Sequence, residues 1–335
     1  MRHWDLGVPL FPLAEYWWAY AGFTALISLL LALDLGVFNR RPHRVSIREA
    51  TIWSVLWVLV ALIFNWALWA YAGSLFSAEV ATRVALEFAA GYLVERALSF
   101  DNIFVFVVVF RYFAIPHALQ HRVLFFGIVG AFVFRGIFIA LGSWLMQFHW
   151  VVLLFGVLLM FTGIRMALGS AESVAPEANP VVRLLRRYLP VTEEIQGPRF
   201  FVRSAGVLQA TPLLIALVFL ELTDIVFAID SVPAVFALTR EPFLVFTSNI
   251  FAILGLRAMY FMLAAAMDLF HLMKYGLAAI LIFVGGKMTL FDGRWLPPVP
   301  LGWSLTIICG LLTVSVLASI FFPKRPSPNE LTGIQ

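Results

Sequence analysis

Long apolar runs, most of them near 20 residues, alternate along this chain with short segments that carry most of the charge. A helix needs about 20 predominantly apolar residues to cross a bilayer. The pattern therefore predicts an all-α polytopic membrane protein with about nine transmembrane helices. The predicted spans are 14–38, 50–72, 82–110, 123–146, 149–168, 205–239, 243–267, 272–291 and 299–322.

The composition strengthens this fold class and sets an orientation. Of the 335 residues, 62% are hydrophobic and 13% charged, whereas a soluble domain carries about a quarter charged residues. Among 23 Lys and Arg residues, 15 fall in alternate loops that this topology puts on one side, and four fall on the other. The positive-inside rule then predicts an inner-membrane protein with its N-terminus outside and its C-terminus in the cytoplasm. The net charge of +4 is thus a topology signal, and no nucleic-acid partner is expected.

The connecting segments divide a single membrane domain, 1–335, at one substantial linker. This linker, 169–204, is rich in proline and mixed charge, and it could host a protein partner on the cytoplasmic side. The predicted segments are two N-terminal helices at 14–72, a first repeat at 82–168, the cytoplasmic loop at 169–204, a second repeat at 205–291, a final helix at 299–322 and a disordered tail at 323–335.

Charged residues inside the spans reveal the two repeats. Asp101 lies 34 residues before Arg135, and Asp224 lies 33 residues before Arg257; the next cation follows 30 residues later in both cases. Each unit has three spans, an odd number, so the second unit enters the membrane from the opposite side. The spacing therefore predicts a 3+3 inverted repeat, an arrangement whose ligand sites lie near the bilayer midplane.

The cores of the third and sixth spans hold five carboxylates, and an ionised group there costs at least about 2.5–3.5 kcal/mol. They are Glu95, Asp101, Glu221, Asp224 and Asp230. The repeat makes Asp101 and Asp224 equivalent, so both are predicted to face each other as central cation ligands. Glu221 shares the helix face of Asp224, but Asp230 lies about 240° around the helix from Asp224. A helix break near residue 230, next to Pro233, is therefore predicted.

The remaining candidate ligands supply only oxygen. Asn102, Ser231 and Asn249 accompany the carboxylates, and no His or Cys falls deep within the predicted repeat spans. Oxygen-only sites suit Mg²⁺, Ca²⁺ or Mn²⁺, whereas Zn²⁺ and copper recruit imidazole or thiolate. Arg135 and Arg257 are predicted to balance the charge. The structural alternative is that Asp101–Arg135 and Asp224–Arg257 are buried ion pairs that only fix the helix packing.

Three phrases carry a family resemblance: "ERALSFDNIFVF", "ELTDIVFAIDSVPAVFA" and "TSNIFAILGLRAMYF". Together they resemble the TerC family of integral membrane proteins. The overall length, the N-terminal "SVLWVLVALIFNWALW" and the "ATPLL" entry to the sixth span look most like its Alx branch. The resemblance implies a lysine-exporter-like inverted-repeat fold, manganese efflux in metal-ion homeostasis, and a historical link to tellurium resistance. By matching position it implies functional roles for Glu95, Asp101, Asn102, Glu221, Asp224, Asp230, Ser231, Asn249, Arg135 and Arg257. Asp34 also fits the branch and is predicted to have an interfacial or pairing role.

The leading hypothesis is a secondary-active Mn²⁺ exporter, with manganese as a transported substrate rather than a cofactor and with protons as the candidate coupling ion. A membrane partner protein that assists metal loading of secreted proteins, a calcium/proton exchanger and a tellurite-related carrier are the alternatives. An enzyme is not expected, because the Gly-x-Gly-Asp context of aspartyl intramembrane proteases and the His-Glu-x-x-His of zinc proteases are absent from the sequence. The sequence leaves the oligomeric state open.

Overall fold

The computed structural model describes most of the chain as helices. It covers residues 9–33, 46–169, 190–192, 197–204, 207–264, 270–291 and 295–322, with residues 183, 187 and 195. The helices are α1 (Leu13–Leu33), α2 (Ile47–Leu75), α3 (Ala78–Tyr112), α4 (His117–Leu145), α5 (His149–Leu168), α6 (Pro212–Phe236), α7 (Pro242–Leu254), α8 (Leu256–Leu263), α9 (Met273–Thr289) and α10 (Leu301–Phe321). Asp34 and the tail 323–335, for which the sequence made predictions, lie outside these residues, as does most of the 169–204 loop.

Seven segments are long and apolar enough to cross a membrane: α1, α2, α4, α5, α6, α7 together with α8, and α10. The other two predicted spans correspond to α3 and α9. Helix α3 has 35 residues and carries Glu95 and Asp101 of the first repeat. Helix α9 has 17 residues, which is about 25 Å of helix. The prediction of an all-α polytopic membrane protein is confirmed.

The outer helices expose large apolar side chains. Trp17 of α1, Trp66 of α2 and Trp303 of α10 are each about two-thirds exposed, whereas almost all of α7 and α8 is buried. Contiguous apolar surface of this kind marks contact with lipid or with another apolar surface. The bundle therefore has an apolar outer layer around an interior formed mainly by α3, α6 and α7.

The sixth span begins later than predicted. Residues 207–210 do not start the helix; they form strand β2 (Val207–Ala210), which pairs antiparallel with β1 (Phe201–Ser204). Thr211 follows in an extended conformation, and Pro212 occupies the first helical turn of α6. Proline suits that position because its missing N–H would have no helical partner there. The hydrophobicity of "VLQA" thus belongs to a hairpin rather than to the span.

Helices α5 and α9 approach each other through glycines. A Cβ atom at Gly156 would lie 3.0 Å from the carbonyl oxygen of Gly285, and one at Gly163 would lie 2.7 Å from that of Ala278. Side chains cannot fit between backbones this close, and small residues are what allow membrane helices to approach so tightly. We call this contact the glycine seam; it joins the first predicted repeat to the second.

The helix packing has a pattern that bears on the inverted repeat. Helix α3 packs on α7, α4 packs on α6, and α5 packs on α9. Exchanging the two predicted units converts the first pair into the second and leaves the third unchanged. This pattern is compatible with the repeat, which stays a prediction.

Candidate functional site

Arg135 of α4 lies at the centre of the buried polar interior. The residue is 1% exposed, and its guanidinium binds Asp224 of α6 through two hydrogen bonds. Nη2 donates to Oδ1 at 3.0 Å and Nε donates to Oδ2 at 3.3 Å. Such a two-pronged arrangement fixes both planes relative to each other and is among the strongest hydrogen-bond geometries in proteins.

Four further side chains complete what we call the Arg135 cluster. Arg135 Nη1 forms an ion pair with Glu95 of α3 and donates to Asn249 Oδ1 of α7 at 3.0 Å and to Ser231 Oγ at 3.4 Å. Asn102 Nδ2 donates to Asp224 Oδ1 at 3.3 Å. The cluster therefore consists of Glu95, Asn102, Arg135, Asp224, Ser231 and Asn249, contributed by α3, α4, α6 and α7.

Heptad spacing explains which residues of α3 and α6 enter the cluster. Glu95 and Asn102 are seven residues apart, and so are Asp224 and Ser231. Seven helical residues turn about 700°, so each pair lies within about 20° of one face. This spacing is a second signal in the sequence. Aligning the two repeats does not reveal it, because the alignment matches residues of different helices, whereas the spacing links residues within one helix.

Asp101 does not join the cluster. Asp101 directly precedes Asn102, so its side chain points about 100° around α3 from the face that Glu95 and Asn102 share. Asp101 is half-buried, and no hydrogen bond or ion pair connects it to another candidate residue in the described part of the chain. The structure thus does not pair Asp101 with Asp224. The Asp101–Arg135 ion pair of the structural alternative is wrong, since Arg135 binds Asp224 and Glu95 instead.

The predicted break near residue 230 is also wrong. Helix α6 runs without interruption from Pro212 to Phe236, with Pro233 inside its last turn. The missing N–H of Pro233 removes one helical hydrogen bond there, and the Pro233 carbonyl still accepts one from Ala237 at 3.0 Å. Asp230 turns away from the cluster and accepts a hydrogen bond from Thr162 Oγ1 of α5 at 3.4 Å. Thr162 is not among the residues that the sequence predicts for the site.

The interruption lies in the seventh span instead, at Gly255 between α7 and α8. Arg96 supports it: Nη1 donates to the carbonyl of Ala252 at 3.1 Å, and Nη2 donates to Ser54 Oγ at 3.2 Å. A carbonyl released from the helical ladder inside a membrane needs such a donor. Arg96 therefore stabilises the interruption and stays outside the Arg135 cluster.

A cavity of about 20 Å³ lies beside Asp224. Its polar lining is Glu221, Asp224 and Arg257, and its wall is otherwise made of Phe106, Leu124, Gly127, Ile128, Ala131, Leu220, Ile253 and Leu256. The Glu221 carboxylate lies directly against Gly130, where a Cβ atom would collide with it. A cavity of this size holds about one water molecule or one bare ion.

Arg257 of α8 occupies a different environment from its predicted equivalent, Arg135. Its Nη1 lies 3.1 Å from Nε2 of His121 on α4. In the same region Tyr260 Oη donates a hydrogen bond to Gln120 Oε1 at 3.0 Å. The predicted charge-balancing cations therefore serve separate groups: Arg135 serves the buried carboxylates, and Arg257 lies between the cavity and His121.

The atoms around Arg135 and the cavity that could bind a metal ion are oxygens. Within the described residues, no three His, Cys, Asp or Glu side chains gather in a metal-binding arrangement. The guanidinium of Arg135 lies between Glu95 and Asp224, and Oε2 of Glu95 and Oε2 of Glu221 are buried without a hydrogen-bond partner there. Glu95 and Asp224 can therefore bind a hard cation only if Arg135 withdraws from them.

Comparisons with known proteins identify relatives of this chain. The profile described as "Integral membrane protein TerC family" matches residues 80–327. A protein of Escherichia coli (strain K12) named "Putative membrane-bound redox modulator Alx" is 45% identical over 308 residues, which is 91% of this chain and 95% of that protein. A Myxococcus xanthus protein, "Uncharacterized membrane protein STKORF319", is 48% identical over 312 residues, 93% of this chain and 94% of its own length. No solved structure matches the chain.

Proposed function

The chain belongs to the TerC family of integral membrane proteins, and from this premise we propose that it is a secondary-active exporter of divalent manganese. The resemblance to that family and to Alx relatives, expected from the sequence motifs, is confirmed. Manganese as the substrate, the outward direction, the inner-membrane location and the predicted orientation are parts of the proposal.

The observation that carries the proposal is the buried cation inside a cage of oxygen atoms. Glu95, Asp224, Asn249 and Ser231 all direct oxygen atoms at the Arg135 guanidinium. Mn²⁺ binds the same donor types. The cage is therefore suited to two alternative occupants: a tethered guanidinium, which neutralises the carboxylates, and a transported divalent ion.

We assign the remaining carboxylates to the path by which the ion reaches and leaves the cage, rather than to the cage itself. Glu221 lines the cavity next to Asp224, and we propose that it binds the ion next to the cage. Asp101 and Asp230 lie on other faces of α3 and α6, and we propose that they conduct the ion or a proton past the cage. Ionisable groups inside membrane helices characteristically mark ion pathways and proton relays.

Transport by purified protein tests the proposal. Proteoliposomes with an imposed pH gradient should move Mn²⁺, and Asp224→Asn and Glu95→Gln should lower the initial rate by at least about tenfold, since each removes a cage charge. Glu15→Gln is the matched control, because Glu15 is exposed on α1. Wild-type rates in both cage variants, with normal folding, would remove the site assignment.

The alternatives give different outcomes in the same experiment. A metal-loading partner protein would move no divalent cation by itself, and a calcium/proton exchanger would transport Ca²⁺ in preference to Mn²⁺. The names of the Alx relatives mention redox modulation, but this chain has one cysteine, Cys309, which is exposed on α10. A disulfide couple within one chain is therefore not available, and the proposal rests on the carboxylates.

A further inference from the structure

A second, smaller cavity of about 10 Å³ lies between α2, α4 and α8. Its polar lining is Glu49, His121 and Arg257, and its other walls are Ala50, Trp53, Ala258 and Phe261. Glu49 is in the first turn of α2 and His121 is near the start of α4. The positive-inside rule puts these two helix ends on the cytoplasmic side.

Arg257 lines both cavities. On one side of its side chain are Glu221 and Asp224, and on the other are Glu49 and His121. Arg257 Nη1 lies 3.1 Å from His121 Nε2, so His121 contacts the one side chain that the two cavities share. Arg257 is 7% exposed, so the place where the cavities adjoin is inside the protein.

The two cavities adjoin at Arg257, which lines both of them. Along α4, His121 precedes Gly130 by nine residues, about 13 Å of helix, and the Glu221 carboxylate lies against Gly130. Along α6, Glu221 precedes Asp224 by one turn. The sequence Glu49, His121–Arg257, Glu221, Asp224 therefore leads inward from the end of α2 to the Arg135 cluster.

We infer that the two cavities are parts of one cytoplasmic access route for the cation, with Glu49 at its mouth and the Arg257–His121 pair as its gate. The inference rests on the proposed function and adds the route by which the substrate reaches that site. A guanidinium in the route repels cations, so the ion passes only when Arg257 moves aside. Carboxylates on both sides, Glu49 and then Glu221 with Asp224, attract a cation towards the gate and beyond it.

Cysteine labelling tests the route without requiring transport. Gly127 lines the inner cavity, lies six residues beyond His121, and has no atom within 4 Å of the position of an added Cβ. We expect Gly127→Cys, made in a Cys309→Ala background, to react slowly with a charged, membrane-impermeant methanethiosulfonate added to the cytoplasmic face of inside-out vesicles. Adding His121→Ala should raise the labelling rate about tenfold, because it removes half of the gate.

The matched control is Gly22→Cys, since Gly22 is exposed on the outer face of α1 and also leaves space for a side chain. A cysteine there should stay unlabelled. Labelling of Gly127→Cys only from the opposite face, no labelling at all, or a rate that His121→Ala leaves unchanged would overturn the gate. Because labelling is independent of flux, these results are distinguishable from failure of Mn²⁺ transport.

A transport measurement tests the mouth of the route. Glu49→Gln should raise the KM for cytoplasmic Mn²⁺ by about tenfold while leaving kcat unchanged, because a carboxylate at a cavity mouth concentrates cations there. Glu79→Gln is its control: it lies in the first turn of α3, beyond a Ser N-cap like that of α2, at the end predicted to be outside. An equal KM in wild type and Glu49→Gln, or a matching rise in Glu79→Gln, would exclude Glu49 from the route.

Discussion

Arg135 is a permanent charge in the most buried part of the molecule, and its neighbours explain how it is tolerated. The guanidinium binds two carboxylates and two neutral oxygens. A buried ion pair of this kind gives little net stability, but removing one partner leaves the other charge buried and uncompensated. The energetic importance of Arg135 therefore appears when it is removed.

We predict that Arg135→Gln lowers the free energy of unfolding by about 3–5 kcal/mol, because Glu95 and Asp224 lose their counterion. Thermal unfolding of the purified protein in detergent measures this. Added Mn²⁺ should raise the Tm of the variant more than that of wild type, since the ion can replace the guanidinium.

Arg122→Gln is the control, on the same helix. Arg122 is exposed and stacks on Phe126 and Phe200, so its loss should cost about 0.5–1 kcal/mol. Equal destabilisation by both substitutions, or no Mn²⁺ response in Arg135→Gln, would contradict the role given to Arg135.

The residues of the site could be predicted from sequence better than their partners could. Carboxylates in apolar spans are conspicuous, so Glu95 and Asp224 were found, and the nearby Arg135 with them. Their pairing was not, because the repeat aligns Asp101 with Asp224, whereas the side chains follow the heptad face of each helix. His121 lies too near the start of α4 to be recognised from the sequence as a site residue. Thr162 is of too common a residue type to be recognised as one.

At the scale of helices, the interruption predicted beside Pro233 is absent, and one that the sequence did not predict lies at Gly255. Pro233 is the stronger signal, yet it lies in the last turn of α6, where few helical hydrogen bonds remain to be lost. Gly255 is an ordinary glycine in an apolar run, but Arg96 binds the carbonyl that its interruption releases. Span lengths were predictable because the bilayer sets them, whereas the position of an interruption depends on a donor from another helix.

Gly255→Ala should destabilise the protein by about 1–3 kcal/mol. A Cβ atom there would collide with the Arg96 guanidinium, and its displacement leaves the Ala252 carbonyl buried without a donor. Thermal unfolding again measures the effect.

Gly286→Ala provides the comparison. It lies within α9 and has no atom within 4 Å of an added Cβ, so alanine should be neutral or stabilise the helix by up to about 1 kcal/mol. If Gly255→Ala were tolerated as well as Gly286→Ala, Arg96 would not be supporting the interruption.

At the scale of the whole molecule, Glu241 links the N-terminal segment to the second half of the chain. It precedes α7, and its carboxylate accepts hydrogen bonds from the backbone N–H of Leu10 at 2.8 Å and of Phe11 at 3.4 Å. Burial raises the pKa of Glu241 to about 7, against the lowering effect of these hydrogen bonds. The link is therefore sensitive to pH near neutrality.

The sign of this dependence follows from proton binding. Unfolded, Glu241 loses its proton near its ordinary pKa of 4.5, and folded it keeps the proton to about pH 7. The folded state binds more protons between these values, so stability should fall as pH rises from 4.5 to 7, by at most about 3 kcal/mol. Glu241→Gln should flatten this part of the Tm-against-pH curve; an unchanged slope would show that another group causes it.

The glycine seam limits how the two halves can move. With a Gly156 Cβ position 3.0 Å from one backbone carbonyl and a Gly163 Cβ position 2.7 Å from another, α5 and α9 are fitted backbone to backbone. Packed surfaces this close resist sliding, because every small displacement meets the next turn of the partner helix. For the proposed transport function, we expect the seam to act as a pivot: α3 and α4 would rock against α6 and α7 to open one side of the Arg135 cluster and then the other, while α5 and α9 stay together.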